Sequence, residues 1–277
     1  MNYNQLTQKI INKQSFLCVG IDPDENLIPT HLKKDKIKGV YDFCTSIIEV
    51  TAPHCVAYKI NFAFFESFGL EGWELIVKIS NFIKDKFPNH FLIADAKRGD
   101  IGNTSTKYAS GILDKMGFDA ITVSPYMGED SIKPFFIEDK WVIILMLTSN
   151  NGSSNFQKLI TESGDPLYLE VGKQSSKWGD IKNTMFVVGG THPNELKIIR
   201  ERFPEHFFLI PGFGKQGGSL QEISDSALNN SIGILVNSSR GIIHASSDTD
   251  YLDKTIQEVQ KVHQEMTVIL KKKFDSN

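Results

Sequence analysis

The segment LIADAKRGDIGNT, residues 92 to 104, places charged residues where an apolar strand ends. Asp95 and Lys97 are two positions apart, and Arg98 and Asp100 follow them closely. Since side chains alternate along a strand, we expect Asp95 and Lys97 to lie on the same face. Neighbouring carboxylates favour the charged form of a lysine. We therefore expect Lys97 to act as an acid and a cation rather than as an amine nucleophile. The alternative is an ion-pair network that only stabilises the end of the strand.

The elements that must position these residues are short strands alternating with helical stretches. We predict strands over 15–22, 55–61, 90–97, 120–125, 142–149, 185–191, 206–214 and 232–239. We predict helices over 39–52, 71–87, 103–116, 129–137, 166–178, 193–203, 219–229 and 249–273. Strands that are apolar almost throughout must be covered on both faces, which is typical of parallel sheets. Eight β-then-α repeats predict one (β/α)8 TIM barrel over residues 1–277, with a doubly wound open sheet as the alternative.

Polar residues also end several of the other predicted strands. Asp22 ends the first strand, Lys59 lies near the end of the second, Ser149 ends the fifth, and Arg240 follows the eighth. In a barrel of this kind, the active site lies at the carboxyl ends of the strands. We therefore expect these side chains to share one site with Asp95 and Lys97. Charges on several adjacent strands favour a functional site over a structural ion-pair network.

The glycine-rich segment GFGKQGG, residues 212 to 218, follows the seventh predicted strand. Its G-x-G-x-x-G spacing does not indicate a dinucleotide fold, because no acidic residue lies about twenty positions later. Glycine-rich loops after strands seven and eight of a barrel commonly bind phosphate through backbone N–H groups. Arg240 offers a planar guanidinium for the same phosphate. The sequence thus predicts a phosphate site, with tight turns and a surface arginine as the alternative.

Composition excludes some other classes of protein. The chain has 40% hydrophobic and 23% charged residues and a formal net charge of −3, which argues against a nucleic-acid partner. No run of eighteen apolar residues occurs and the first fifteen residues do not resemble a signal peptide, so we expect a cytoplasmic protein without membrane association. We expect Cys18, Cys44 and Cys55 to be reduced core residues. The polar segment 148–166 is a candidate lid, or else a surface loop.

Taken together, the motifs GIDP, YKIN, DAKRGDIGNT, TSN, PGFGKQGG and SSRG resemble the orotidine 5′-phosphate decarboxylase family. DAKRGDI is the signature of its mycobacterial-type branch, also called type 2. The resemblance runs from Asp22 to Arg240, with the motifs in the family's order. It implies a lyase without metal or cofactor that converts orotidine 5′-monophosphate to uridine 5′-monophosphate and CO2.

The resemblance also implies roles for individual residues. Lys59, Asp95, Lys97 and Asp100 match the family's catalytic series of alternating lysines and aspartates. Asp22 and Lys59 would hold the ribose hydroxyls, and Ser149 the pyrimidine amide. The phosphate would be bound by Gly214, Gln216, Gly217 and Arg240. Asp100, Ile101 and Thr104 would reach the active site of the other subunit of a homodimer.

Two positions depart from the family pattern: Lys215 replaces a small residue and Asn151 replaces a common proline. They affect the expected shape of the phosphate loop and the lid. Two other functions remain open. A related barrel sugar-phosphate decarboxylase also carries D-x-K-x-x-D but uses a divalent metal. A non-catalytic barrel could bind a nucleotide for regulation.

Overall fold

The computed structural model describes residues 1–191, 193–213 and 218–275. Eight parallel strands follow one another in a closed barrel in chain order. They are β1 (Leu17–Ile21), β2 (Ala57–Asn61), β3 (Phe91–Arg98), β4 (Ala120–Val123), β5 (Trp141–Leu147), β6 (Thr184–Val188), β7 (Phe207–Ile210) and β8 (Ile234–Ser238). The predicted (β/α)8 barrel is confirmed, and the open sheet is wrong. Almost every strand residue is buried, as expected for strands covered on both faces.

Helices separate the strands. They are α1 (Tyr3–Lys13), α2 (Lys36–Thr51), α3 (Phe62–Glu66), α4 (Leu70–Lys86), α5 (Asn103–Ala109), α6 (Glu129–Ile132), α7 (Leu167–Ser175), α8 (Pro193–Arg202), α9 (Leu220–Ala227), α10 (Arg240–Ile243) and α11 (Tyr251–Asp275). A π-helical segment, Ser110–Lys115, continues α5. The sequence did not predict α1, α3 or α10. Within α1, Leu6 and Ile10 are fully buried, and their i, i+4 spacing is the sequence pattern that could have predicted this helix.

The chain divides into two compact units. One unit comprises Met1–Thr7 and Lys97–Val236; the other comprises Gln8–Ala96 and the chain from Asn237 onward. The single domain over residues 1–277 stays a prediction. Among the described helices, none is both long and apolar enough to cross a membrane. The three cysteines are free and buried, as predicted.

Arg200 illustrates how the unit that contains Lys97–Val236 accommodates a buried charge. Its guanidinium stacks 3.7 Å from the centre of the Phe208 ring. It donates hydrogen bonds to the carbonyl oxygens of Phe203, Pro204, His206, Ala227 and Gly233. Ala227 ends α9, and Phe203 and Pro204 follow α8, so these carbonyls lie where helices leave acceptors unpaired. The cation therefore stabilises two helix ends at the amino-terminal side of β7 and β8.

In the unit that contains Gln8–Ala96, strands β1, β2 and β3 align the charged residues. Gly20 pairs in register with Lys59, and Asn61 pairs with Asp95. A Cβ atom on Gly20 would lie 1.9 Å from Oγ of Ser239, so only glycine fits here. This close approach places the residues that follow β8 against β1.

Candidate active site

Lys59 lies between two carboxylates, and we call Asp22, Lys59 and Asp95 the Lys59 cluster. Its Nζ donates to Oδ2 of Asp95 at 2.7 Å and lies 3.8 Å from Oδ1 of Asp22. Lys59 is 4% exposed and Asp95 is 9% exposed. Burial lowers the pKa of Lys59, but the charges of Asp22 and Asp95 raise it by more, so the net pKa is above the ordinary value. Lys59 is therefore a fixed cation.

Asp22 carries a buried acceptor. Within the described part of the chain, its Oδ1 has no hydrogen-bond partner, although Lys59 lies nearby. A buried acceptor without a hydrogen bond costs free energy, typically about 1–3 kcal/mol. A ligand hydroxyl that donates to this atom would remove that cost. The atom is thus a candidate binding position at the end of β1.

Arg240 begins α10 directly after β8 and is exposed. Among the described residues it has no carboxylate within salt-bridge distance. A guanidinium without an internal anion is available for an external one. Arg240 lies in the same unit as the Lys59 cluster, and its phosphate-binding role stays a prediction.

Lys97 begins the other unit, two residues after Asp95 on β3. Its backbone φ is +46°, in the left-handed region, and its amide N donates to Oγ1 of Thr122 at 2.9 Å. Strict alternation requires extended backbone, so it does not by itself determine the direction of the Lys97 side chain. Lys97 is exposed, whereas Ala96 is buried. Whether Asp95 and Lys97 lie on the same face therefore stays a prediction.

Asp100 and Ile101 lie in the turn that precedes α5. The Asp100 carboxylate accepts from the amide N of Ile101 at 2.8 Å, and its own amide donates to Oγ of Ser105 at 3.0 Å. Ile101 is 62% exposed, and Thr104 is also exposed. The backbone of this turn is fixed by these hydrogen bonds, while its apolar and hydroxyl side chains face away from the core.

Ser149 lies just past β5, between two glycines. A Cβ atom on Gly189 would lie 3.0 Å from Cβ of Ser149, and one on Gly212 would lie 3.6 Å from its Oγ. Gly212 also has a φ of +87°, which favours glycine. The residues that follow β6 and β7 thus approach Ser149 closely, because Gly189 and Gly212 have no side chains. The predicted role of Ser149 in the site stays a prediction.

The predicted phosphate loop falls partly outside the described residues. Gly214, Lys215, Gln216 and Gly217 all lie outside them, so their predicted roles stay predictions.

The candidate lid is described in full; it has internal hydrogen bonds, and an ion pair joins it to α8. Gln157 accepts from the amide N of Thr148 at 2.8 Å, and its amide donates to Oγ1 of Thr148 at 2.9 Å. Lys158 pairs with Glu195 at 2.6 Å. The departure at Asn151 begins a short 3-10 helix, Asn151–Asn155. A lid function remains a prediction.

The sequence analysis did not select three polar residues that the structure makes notable. Thr122 and Asn237 are buried polar residues of β4 and β8. Thr191 follows β6, and in the described part of the chain its Oγ1 is buried without a hydrogen-bond partner, as is Oδ1 of Asn237. In the sequence, Thr122 and Asn237 could have been selected because each is a polar residue within a predicted apolar strand.

Comparison with known proteins identifies the family. Residues 15–254 match the family described as Orotidine 5'-phosphate decarboxylase / HUMPS. The chain belongs to this family. An orotidine 5'-phosphate decarboxylase of Phocaeicola vulgatus is 46% identical over 98% of this chain and 99% of that protein.

Solved structures of the same family agree. The Leishmania donovani OMP decarboxylase is 33% identical, covers 95% of this chain and 99% of that chain, and has a TM-score of 0.78. The Leishmania donovani UMP synthase is 35% identical with a TM-score of 0.80; the match covers 94% of this chain and 56% of that longer chain. The predicted family and its carboxy-lyase activity are therefore confirmed. The mycobacterial-type branch stays a prediction.

Proposed function

We propose that this member of the family decarboxylates orotidine 5′-monophosphate to uridine 5′-monophosphate and CO2 through Lys97, without a metal or cofactor. The observation that carries the residue assignment is the Lys59 cluster, with Lys59 on β2, Asp95 on β3 and Asp22 directly after β1, and with Lys97 two residues beyond Asp95. Fixed charges of this kind suit a reaction in which charge develops at one carbon. The activity itself follows from the family and from relatives matched over nearly their full length.

The proposed chemistry has one bond breaking and one forming. The bond between C6 and the carboxylate breaks, CO2 leaves, and the electron pair stays on C6. The Lys97 ammonium stabilises this carbanion and then transfers a proton to C6. Solvent returns the proton to Lys97. Asp95 beside the substrate carboxylate keeps the series of charges in place through its hydrogen bond with Lys59.

We propose that the remaining predicted site residues contact the substrate. Asp22 accepts from a ribose hydroxyl through its buried Oδ1, and Lys59 donates to the ribose. Ser149 binds the pyrimidine amide. Arg240 binds the phosphate, with Gly214, Gln216 and Gly217 of the glycine-rich loop supplying further donors. Binding energy from the phosphate, far from the reacting carbon, would orient the ring.

We also propose a homodimer in which Asp100, Ile101 and Thr104 complete the active site of the other subunit. Support comes from exposed apolar side chains in the unit that contains them: Ile101, Tyr108, Tyr126 and Met127. Exposed apolar side chains of this size are candidates for burial in an interface with a second subunit. The cytoplasmic location and the mycobacterial-type branch are proposed on the sequence alone.

Mixing two inactive variants tests the dimer. If Lys97 serves its own subunit and Asp100 the other, a heterodimer of Lys97→Ala and Asp100→Asn chains has one intact site. Random re-association makes half the dimers mixed, so about one quarter of all sites should be active. If mass spectrometry shows subunit exchange while activity stays at the level of the unmixed parents, the shared site is refuted.

The proposed reaction is tested by following the loss of orotidine 5′-monophosphate by ultraviolet absorbance, with and without a chelator. Equal turnover in both conditions supports the proposal. Turnover that is lost with the chelator and restored by a divalent metal would favour the metal-dependent alternative. Tight nucleotide binding without any turnover would favour a non-catalytic barrel.

A further inference from the structure

The backbone of Lys97 is held in an unfavourable conformation. Its φ of +46° lies in the left-handed region, which costs a residue with a side chain roughly 1–2 kcal/mol. Such strain persists only where the surrounding structure maintains it, and it occurs often at functional sites. The question is therefore which contacts hold Lys97 in this conformation.

Two hydrogen bonds and one close backbone approach are described between the segment at the end of β3 and the segment at the end of β4. The Lys97 amide donates to the side-chain Oγ1 of Thr122 at 2.9 Å. The amide of Ser124 donates to the carbonyl of Arg98 at 2.8 Å. At Gly99, a Cβ atom would lie 2.8 Å from the carbonyl oxygen of Ser124, so the chain can pass only because this residue is glycine.

Thr122 is suited to this role because it cannot move away easily. It is 1% exposed, and it lies within β4 with apolar strand residues on either side. Its branched side chain has a restricted χ1, so its hydroxyl keeps a fixed position. The acceptor for the Lys97 amide is therefore part of the rigid barrel wall rather than of a loop.

We propose that Thr122 is a positioning residue for Lys97. Its hydroxyl maintains the left-handed backbone of Lys97 and thereby fixes where the long side chain starts. Without this acceptor, the strained backbone would relax toward an extended conformation and redirect the Cα–Cβ bond. The inference rests on the proposed function, in which the ammonium of Lys97 must face C6. Misplacement of a catalytic group by about 1 Å can lower the rate about 100-fold.

Thr122→Val tests the proposal because valine has nearly the same shape but no acceptor. We expect kcat for orotidine 5′-monophosphate to fall at least about tenfold, while the Kd for uridine 5′-monophosphate changes less than about threefold. Thr122→Ser restores the hydroxyl, so its kcat should stay within about threefold of the wild type. In a Lys97→Ala background, Thr122→Val should cause no further loss.

Thr184→Val is the matched control. Thr184 is also a fully buried strand threonine of the same unit, at the start of β6, and its hydroxyl donates to Oδ1 of Asn183 at 3.3 Å. Its replacement should leave kcat near the wild-type value. If Thr122→Val does not fold, Thr122→Ala supplies the same measurement, since it also lacks the acceptor.

Three results would overturn the inference. The first is a wild-type kcat in folded Thr122→Val or Thr122→Ala, and the second is a kcat of Thr122→Ser as low as that of Thr122→Val. The third is that Thr122→Val lowers kcat in the Lys97→Ala background by the same factor as in the wild type. A wild-type protein that does not consume orotidine 5′-monophosphate would instead refute the proposed function.

Discussion

Replacing Lys59 by Met tests the charge balance of the Lys59 cluster, because methionine keeps much of the side-chain volume but removes the cation. At an effective dielectric of about 20, Lys59 attracts Asp95 by about 6 kcal/mol at 2.7 Å and Asp22 by about 4 kcal/mol at 3.8 Å. Desolvation of the buried charges offsets much of this attraction. Removing one partner of a buried ion pair typically costs about 3–5 kcal/mol, which is the loss of unfolding free energy expected here.

The assay is urea unfolding at pH 7 followed by circular dichroism. Because folding raises the pKa of Lys59, its stabilising contribution is fully present below the ordinary value of 10.5 and is lost only as the pH rises through the folded value. The full effect is therefore measurable at pH 7. Lys78→Met is the control, since Lys78 forms an exposed pair with Glu74 at 3.5 Å and should change stability by less than about 0.5 kcal/mol.

A second substitution in the Lys59→Met background tests how much each carboxylate, that of Asp95 or that of Asp22, contributes to the loss of stability. Asp95→Asn in the Lys59→Met background should recover part of the lost stability, because it removes the carboxylate that the cation contacted at 2.7 Å. Asp22→Asn should recover less, since its distance is 3.8 Å. A Lys59→Met protein as stable as the wild type, or equal recovery by both second substitutions, would refute this account. In the folded variant, both kcat and KM for orotidine 5′-monophosphate should worsen.

The remaining predictions concern turnover, phosphate binding and acid stability. Lys97→Ala should abolish nearly all turnover but change the affinity for uridine 5′-monophosphate little, because Lys97 acts on charge present only in the transition state; a small effect on kcat would contradict its role. Arg240→Ala should weaken nucleotide binding more than Gln216→Ala, and neither should affect orotidine without its phosphate; equal damage to nucleoside and nucleotide would exclude the phosphate assignment. Burial lowers the pKa of His90 and of His206 from 6.5 to about 4, so stability should fall between pH 6.5 and 4, by up to about 3 kcal/mol for each histidine. Unfolding measured at pH 7 and pH 5 should show a smaller difference in His90→Gln than in the wild type, and an unchanged difference would show that His90 does not contribute.

The sequence alone predicted the architecture, which the structure confirms, and a set of candidate site residues whose roles stay predictions. Eight apolar runs separated by helical stretches predicted the barrel, since fully buried strands leave a continuous apolar pattern. Polar residues at the ends of such runs, among them Asp22 and Lys59, are conspicuous because a buried charge needs a partner or a function. The short helices α3 and α10 were missed because four or five residues carry too little periodicity.

Only the tertiary structure decided how these residues are held. Alternation along β3 could not reveal the left-handed backbone of Lys97, because that conformation depends on a contact with Thr122, 25 residues further along the chain. The sequence could place Asp22 and Lys59 at strand ends, but not the 2.7 Å and 3.8 Å distances that raise the pKa of Lys59. Local propensity acts over a few residues, whereas these distances depend on strand register and packing between residues remote in sequence.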